Sequence, residues 1–474
     1  MLFNSSNFLL FFPVVFILYW LVSKKVVLQN WVLLVSSAIF YAFWDWRFLF
    51  LLAFSIGLDY VSGIQINKST DQKTRKLWFI SSIAVNLIFL GFFKYFNFFI
   101  ASFTEVLNGF GLQVNPGVLN ILLPVGISFY TFHGLSYVID IYKNRITAEK
   151  SLVKYSLFVA YFPLLVAGPI ERATHLLPQL GIKRNFSYEL AVKGCRQILW
   201  GFFKKIVIAD NCAEYVNIIF ADYGDFNGVT LFVGALLFAF QIYGDFSGYS
   251  DIALGISRLF GIELLKNFSF PYFSTSIADF WKKWHISLSS WFRDYVYIPL
   301  GGSRQGKMMQ LRNVMIIFTL SGFWHGANLT YIVWGFFHGL LFIPSIWMSE
   351  QKKIVFSGKV MQGFITAGKI VSTFIAVTLL WVLFRAETIE KGVSYILTIF
   401  SSPLAKPTIL PKMLFALIGT MMLVEWFGRK NNYALENMKW IPYKFVRWFI
   451  YAILITILFL FMETKETPFI YFQF

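Results

Sequence analysis

Apolar runs of bilayer length recur along the chain from Phe8 to Phe461, with no long polar linker between them. Crossing a hydrocarbon core takes about 20 apolar residues. Runs of that kind fall near residues 8–22, 26–44, 48–66, 77–100, 118–139, 151–168, 229–256, 329–348, 366–384, 411–428 and 446–462, with 190–212 ambiguous. The reading is an all-α integral membrane protein of about eleven transmembrane helices. A composition of 57% hydrophobic, 20% aromatic and 14% charged residues over 474 positions excludes an ordinary soluble globule. No repeat of fixed period and no low-complexity tract divides the chain, so 1–474 is expected to form a single polytopic domain.

A net charge of +17 could signal nucleic acid, but the basic residues sit in short clusters between apolar runs. There they orient helices and meet anionic lipid head groups. Lys24 and Lys25 follow the first run, Lys68, Lys73, Arg75 and Lys76 the third, and Lys143, Arg145 and Lys150 the fifth. Basic loops stay cytoplasmic, so the N-terminus is expected outside. Arg429, Lys430, Lys439, Lys444 and Arg447 precede the last run, which leaves the tail 463–474 (ETKETPFIYFQF) external. The run after Asn7 reads as a retained first helix rather than a cleaved leader. Cys195 and Cys212 form neither a CxxC pair nor a disulfide framework and read as buried bystanders.

Three stretches depart from plain spans. Prolines and charges interrupt 167–178 (AGPIERATHLLP), which suggests a re-entrant segment packed in protein or lining a cavity. Asp279 to Tyr295 has helical amphipathicity, with Trp281, His285 and Leu288 on one side and Lys282 and Lys283 turned away, as suits an interfacial helix. Asn313 to Trp324 is apolar for only about 12 residues, or roughly 18 Å as a helix, too short to cross. His325 is therefore expected at partial depth, beside the SGFWHGAN break.

Ionisable groups at membrane depth mark functional sites, and three of the five histidines, His285, His325 and His338, lie between Phe280 and His338. Acyl transfer from a thioester to a hydroxyl needs a base for the hydroxyl proton, and neutral imidazole suits that task near neutral pH. There is no GxSxG elbow, HExxH, Walker A loop or metal-spaced His/Cys cluster, so neither a covalent serine route nor a metal is called for. A histidine among aromatic rings can equally be a packed residue. That reading suits His338, which follows Phe336 and Phe337, and stays open for His133 and His175.

The ordered motifs SFYTFHGLSYVIDIY, FVAYFPLLVAGPIERA, QIYGDFSGYSDIALGISRLFGIELLKNFSFPY, DFWKKWHISLSSWFRDYVYIPLGG and GFWHGANLTYIVWGFFHG resemble the membrane-bound O-acyltransferase superfamily, in particular its alginate O-acetylation branch. The resemblance runs nearly the length of the chain. It implies a fold of helices ringing a thinned centre, with re-entrant and interfacial helices and a cytoplasmic tunnel meeting an external funnel. It implies transfer of an acetyl group from a cytoplasmic donor, acetyl-CoA, across the bacterial cytoplasmic membrane, with no bound cofactor. The acetyl group would pass to a periplasmic or extracellular SGNH-type (Ser-His-Asp esterase-like) acetyltransferase partner that modifies a polysaccharide. By the same resemblance His325 takes the essential histidine position and His285 the second; Asn267 and Asp251 match polar positions. Trp324, Arg293 and Asp294 complete the pocket candidates.

Tyr471 lies in the external FIYFQF segment about ten residues beyond the last run, a length that spans roughly 33 Å if extended. A similar aromatic-tyrosine motif occurs in the small partner of the teichoic-acid D-alanylation relatives. Tyr471 is therefore a candidate acyl relay, the alternative being an aromatic interface anchor. Competing readings are D-alanyl transfer from a carrier protein, a non-catalytic transporter, for which the usual paired repeats are not seen, and a membrane scaffold that recruits a soluble transferase.

Overall fold

The computed structural model describes every residue except 113–118, 120, 167, 349–358, 439–440, 463–468 and 471–474, and among the described residues all regular structure is helical. Helices satisfy their own backbone hydrogen bonds, which is the condition for entering hydrocarbon. Seven of them are long and apolar enough to cross a membrane: Val26–Asp45, Phe48–Lys68, Gln72–Gly109, Gly228–Leu259, Leu329–Trp347, Val360–Arg385 and Lys444–Phe461. The remaining expected spans are shorter helices, Ser6–Leu21, Ile127–Tyr142 and Lys412–Gly428, together with 151–168, which divides into Leu152–Ala160 and Phe162–Leu165. The protein is a multi-pass membrane protein.

The residues cluster into two compact units, Met1–Gly194 with Ile256–Leu265, and Cys195–Gly255 with Lys266–Phe474. In the first, polar side chains join apolar helices. Asp59, buried on Phe48–Lys68, accepts hydrogen bonds from Ser82 Oγ and Asn86 Nδ2, both at 2.7 Å. Such contacts substitute for the hydrophobic drive that lipid removes. The interruption expected at 167–178 is present, with irregular backbone from 168 to 172 leading into Ala173–Gly181. There the buried Glu171 carboxylate accepts the Leu265 N–H at 2.5 Å and lies 2.8 Å from His175 Nδ1.

Three expectations in the second unit need correction. The helix leading to His325 runs Lys307–His325 and so starts at Lys307 rather than Asn313; at 19 residues it is roughly 28 Å long. Its first turns carry Lys307, Gln310 and Arg312, which an apolar-run criterion passes over because helix propensity does not require apolarity. The expected amphipathic helix over 279–295 is in fact Ile277–Trp281 and Ile286–Phe292, separated by a break, with the second helix running on into a π-helical turn, Arg293–Tyr297. The ambiguous stretch at 190–212 is helical, as Tyr188–Phe202, π-helical Phe203–Asp210 and Asn211–Ala221. Cys212 is buried as expected, but Cys195 is exposed.

Candidate active site

His285 sits at the break and is the reason the break matters. Its backbone is left-handed, φ 43 and ψ 54, a region that non-glycine residues occupy only when the surroundings hold them there. A neighbouring segment does so: the Ile286 N–H donates to Asn267 O and the Ser269 N–H to Lys283 O, both at 2.9 Å. The Asn267 side chain completes the clamp. Its Oδ1 accepts from Ser287 Oγ at 2.9 Å and from the Ser287 N–H at 3.4 Å, which fixes the amide orientation, and its Nδ2 donates to Ser250 Oγ at 3.2 Å. Oδ1 also lies 3.0 Å from His285 Nδ1. An amide oxygen can only accept, so Nδ1 carries the proton and Nε2 keeps the basic lone pair.

His325 ends the Lys307–His325 helix and is 3% exposed. That helix and Leu329–Met348 approach closely at Gly322 and Gly335, where an added Cβ would run into the Tyr331 and Phe318 carbonyl oxygens respectively. Small residues allow such backbone contact, and the contact fixes the height of His325. Trp324, Trp334 and Phe384 surround its ring with centroids at 5.0, 5.2 and 5.5 Å, in edge-on geometry. Each such pair contributes about 0.5–1.5 kcal/mol beyond burial. The rings of His285 and His325 are 6.4 Å apart, and Trp324 is within 6.0 Å of His285.

His338 does something different. It is fully buried, accepts the Trp281 Nε1–H at Nδ1 (3.3 Å) and stacks nearly parallel to Phe280. It ties the Ile277–Trp281 turn to the hairpin below His325 as a packed residue.

The profile of the membrane-bound O-acyltransferase family matches residues 143–384, a segment that contains Asn267, His285, His325 and His338. The chain belongs to this family. It is similar to a probable alginate O-acetylase of Pseudomonas aeruginosa, 38% identical over 91% of this chain and 82% of the relative. A peptidoglycan O-acetyltransferase of Helicobacter pylori is 34% identical over 83% of this chain and 78% of its own length. A teichoic acid D-alanyltransferase of Streptococcus thermophilus is 31% identical over 54% of this chain and 66% of that protein. The protein is a membrane acyltransferase.

The remaining candidates of this O-acyltransferase fall in separate places. Asp251 anchors a buried charge cluster: its Oδ2 is 2.6 Å from Lys204 Nζ, and its Oδ1 accepts from Gln197 Nε2 at 2.7 Å. Arg293 and Asp294 pair with each other at 2.8 Å, with the arginine side chain 63% exposed. Arg293 also lines, with Lys282, Trp281, Ile286, Ser290 and Phe318, a cavity of about 410 Å³ that reaches the residue following His285. Tyr471 lies outside the described residues.

Sequence reasoning missed the rest of the charge cluster. Lys205 Nζ lies 2.7 Å from Asp210 Oδ1 and 2.8 Å from Asp245 Oδ1, and the Tyr243 hydroxyl donates to the Glu425 carboxylate at 2.8 Å. Adjacent lysines point to different sides of a helix; here both are buried because the π-helical segment is enclosed all round, with every residue from Phe203 to Ala209 buried. The available signal was a pair of lysines inside WGFFKKIVIAD, where charge at membrane depth needs a partner.

Proposed function

We propose that this acyltransferase moves an acetyl group from a cytoplasmic thioester, acetyl-CoA, to the outer face of the bacterial cytoplasmic membrane, where an SGNH-type partner transfers it to a polysaccharide hydroxyl. The observation that carries the reading is the pair His285 and His325, two buried imidazoles 6.4 Å apart in a tryptophan-walled site. Relatives named as O-acetylating enzymes match this chain over 83–91% of its length, against 54% for the D-alanyl relative, which favours acetyl over D-alanyl as the group moved.

In the proposed reaction an acceptor hydroxyl enters beside His325. The imidazole takes the hydroxyl proton as the oxygen attacks the thioester carbon; the C–S bond then breaks and the departing thiolate recovers the proton from the imidazolium. Asn267 keeps the His285 Nε2 lone pair available, which gives the site a second basic nitrogen beside His325. The cavity beside Ile286 has apolar walls for an extended donor arm, and Lys282 and Arg293 supply charge for its phosphates.

The hydroxyl in this reading belongs to Tyr471. A phenol is a far better leaving group than an alkyl alcohol, since its pKa is near 10, so a tyrosyl acetate stays reactive enough to pass its acetyl group on. Phe469 supports the reading: it is buried, 4.9 Å from the Tyr249 ring and 6.1 Å from that of Phe246, and the Phe246 ring in turn packs edge-on to His285 at 4.7 Å. Both chain termini are taken as external.

Mass spectrometry of surface glycans from cells carrying His325→Ala tests this. Near-complete loss of acetyl groups is expected. Undiminished acetylation would mean a scaffold or transporter, and a lost mass matching alanine rather than acetyl would mean the D-alanyl reaction.

A further inference from the structure

The Lys205 cluster contains a contact that the transfer chemistry does not use. Asp245 offers its two carboxylate oxygens to different partners: Oδ1 lies 2.8 Å from Lys205 Nζ, and Oδ2 accepts the main-chain N–H of Ile470 at 2.6 Å. The ammonium is itself shared with Asp210 at 2.7 Å. All these groups are buried or nearly so: Lys205 and Asp245 are 3% exposed, Ile470 2% and Phe469 0%. A charged acceptor held in place by a buried cation is among the stronger kinds of hydrogen bond, and here it grips backbone rather than a side chain. A main-chain contact fixes the path of the segment whatever its side chains are, and Phe469 fixes its rotation by packing on Tyr249 and Phe246.

We propose that Asp245, oriented by Lys205, is a positioning residue that docks the C-terminal segment of the chain against the helix carrying Phe246, beside His285. The functional weight of the dock rests on the Tyr471 relay reading, but the dock itself does not.

Hydrogen–deuterium exchange of the full-length protein in lipid nanodiscs, followed at the C-terminal peptide containing the Ile470 amide, separates the two. Asp245→Asn keeps an acceptor for that amide and should retain most of the protection. Asp245→Val removes the acceptor and should speed exchange by about tenfold to a hundredfold, the range for losing a hydrogen bond to a charged group. Because Asp245→Val takes one carboxylate from the buried Lys205 ammonium, the pair Lys205→Met with Asp245→Val, which removes one charge of each sign, keeps the test valid if the single variant does not fold. Glycan acetylation in the same cells should fall with the loss of protection and recover in Asp245→Asn. Unchanged exchange in both valine variants would overturn the dock. Release of the tail with full acetylation would overturn its role in positioning. If Tyr471→Phe acetylates normally while Asp245→Val loses both protection and acetylation, the relay fails and the dock stands.

Discussion

Asn267 Oδ1 lies 3.0 Å from His285 Nδ1, and the same oxygen takes the Ser287 hydroxyl at 2.9 Å. One side-chain amide therefore sets the tautomer of an imidazole and stabilises the left-handed backbone that aims it. Asn267→Ala should lower the rate of acyl transfer by about ten- to a hundredfold, the range for losing an orienting partner of a functional histidine. Thermal stability should fall as well, because the Ser250 and Ser287 contacts go with it. Asn267→Asp, which keeps the acceptor, should recover much of the lost rate. Equal damage from both variants, measured as initial rates with a thioester donor, would contradict the tautomer argument.

Removing the imidazole of His325 should cost about a hundred- to ten-thousandfold in rate, the usual contribution of general-base catalysis. His338→Phe is expected to behave otherwise. It keeps the ring stacked on Phe280 and loses one long contact with Trp281, so activity should stay within a few-fold of wild type while the melting temperature drops. A His338 variant as inactive as His325→Ala would show that three histidines are needed rather than two.

Gly322→Val places a side chain against the Tyr331 carbonyl where the two helices touch. The helices cannot separate without moving His325, so overpacking of about 1–3 kcal/mol is expected. It should appear as a lower melting temperature together with a lower rate. Gly363→Ala, at a helical glycine with open space around it, is the control: it should leave the rate unchanged and, through helix propensity, should not lower the melting temperature.

His175 gives a pH prediction outside the membrane-spanning helices. Its hydrogen bond to the Glu171 carboxylate raises its pKa above the ordinary imidazole value of 6.5. A raised pKa means that the charged contact stabilises the fold fully below the unfolded value and loses that effect as pH climbs through the folded value. The melting-temperature advantage of wild type over His175→Asn should therefore be larger at pH 5.5 than at pH 8.5. An advantage that grows with pH would reverse the sign and refute the assignment.

Most of the helical membrane architecture was legible because the length of the apolar runs answers to the thickness of the bilayer. His325 at a helix end and His338 as a packed residue were also within reach, the first from the SGFWHGAN break and the second from Phe336 and Phe337 before it in an apolar run. His285 was misplaced on a continuous helix because KKWHIS carries no proline or glycine. The break there comes from a distant asparagine, which local propensity cannot register. Lys204 and Lys205 escaped for a related reason. Hydrophobic periodicity finds a buried face by contrast with an exposed one, and the segment from Phe203 to Ala209 is buried on every side.

The left-handed backbone of His285 also restricts which replacements a lineage could try there. Asparagine, aspartate and histidine tolerate that conformation better than other side chains, and glycine best of all. Glutamine, whose amide would imitate the imidazole nitrogens more closely than a glycine could, is disfavoured by its backbone preference before any chemistry is considered. Drift at position 285 should therefore run through inactive asparagine or glycine forms rather than through partly active ones, making loss of this histidine an abrupt event in descent.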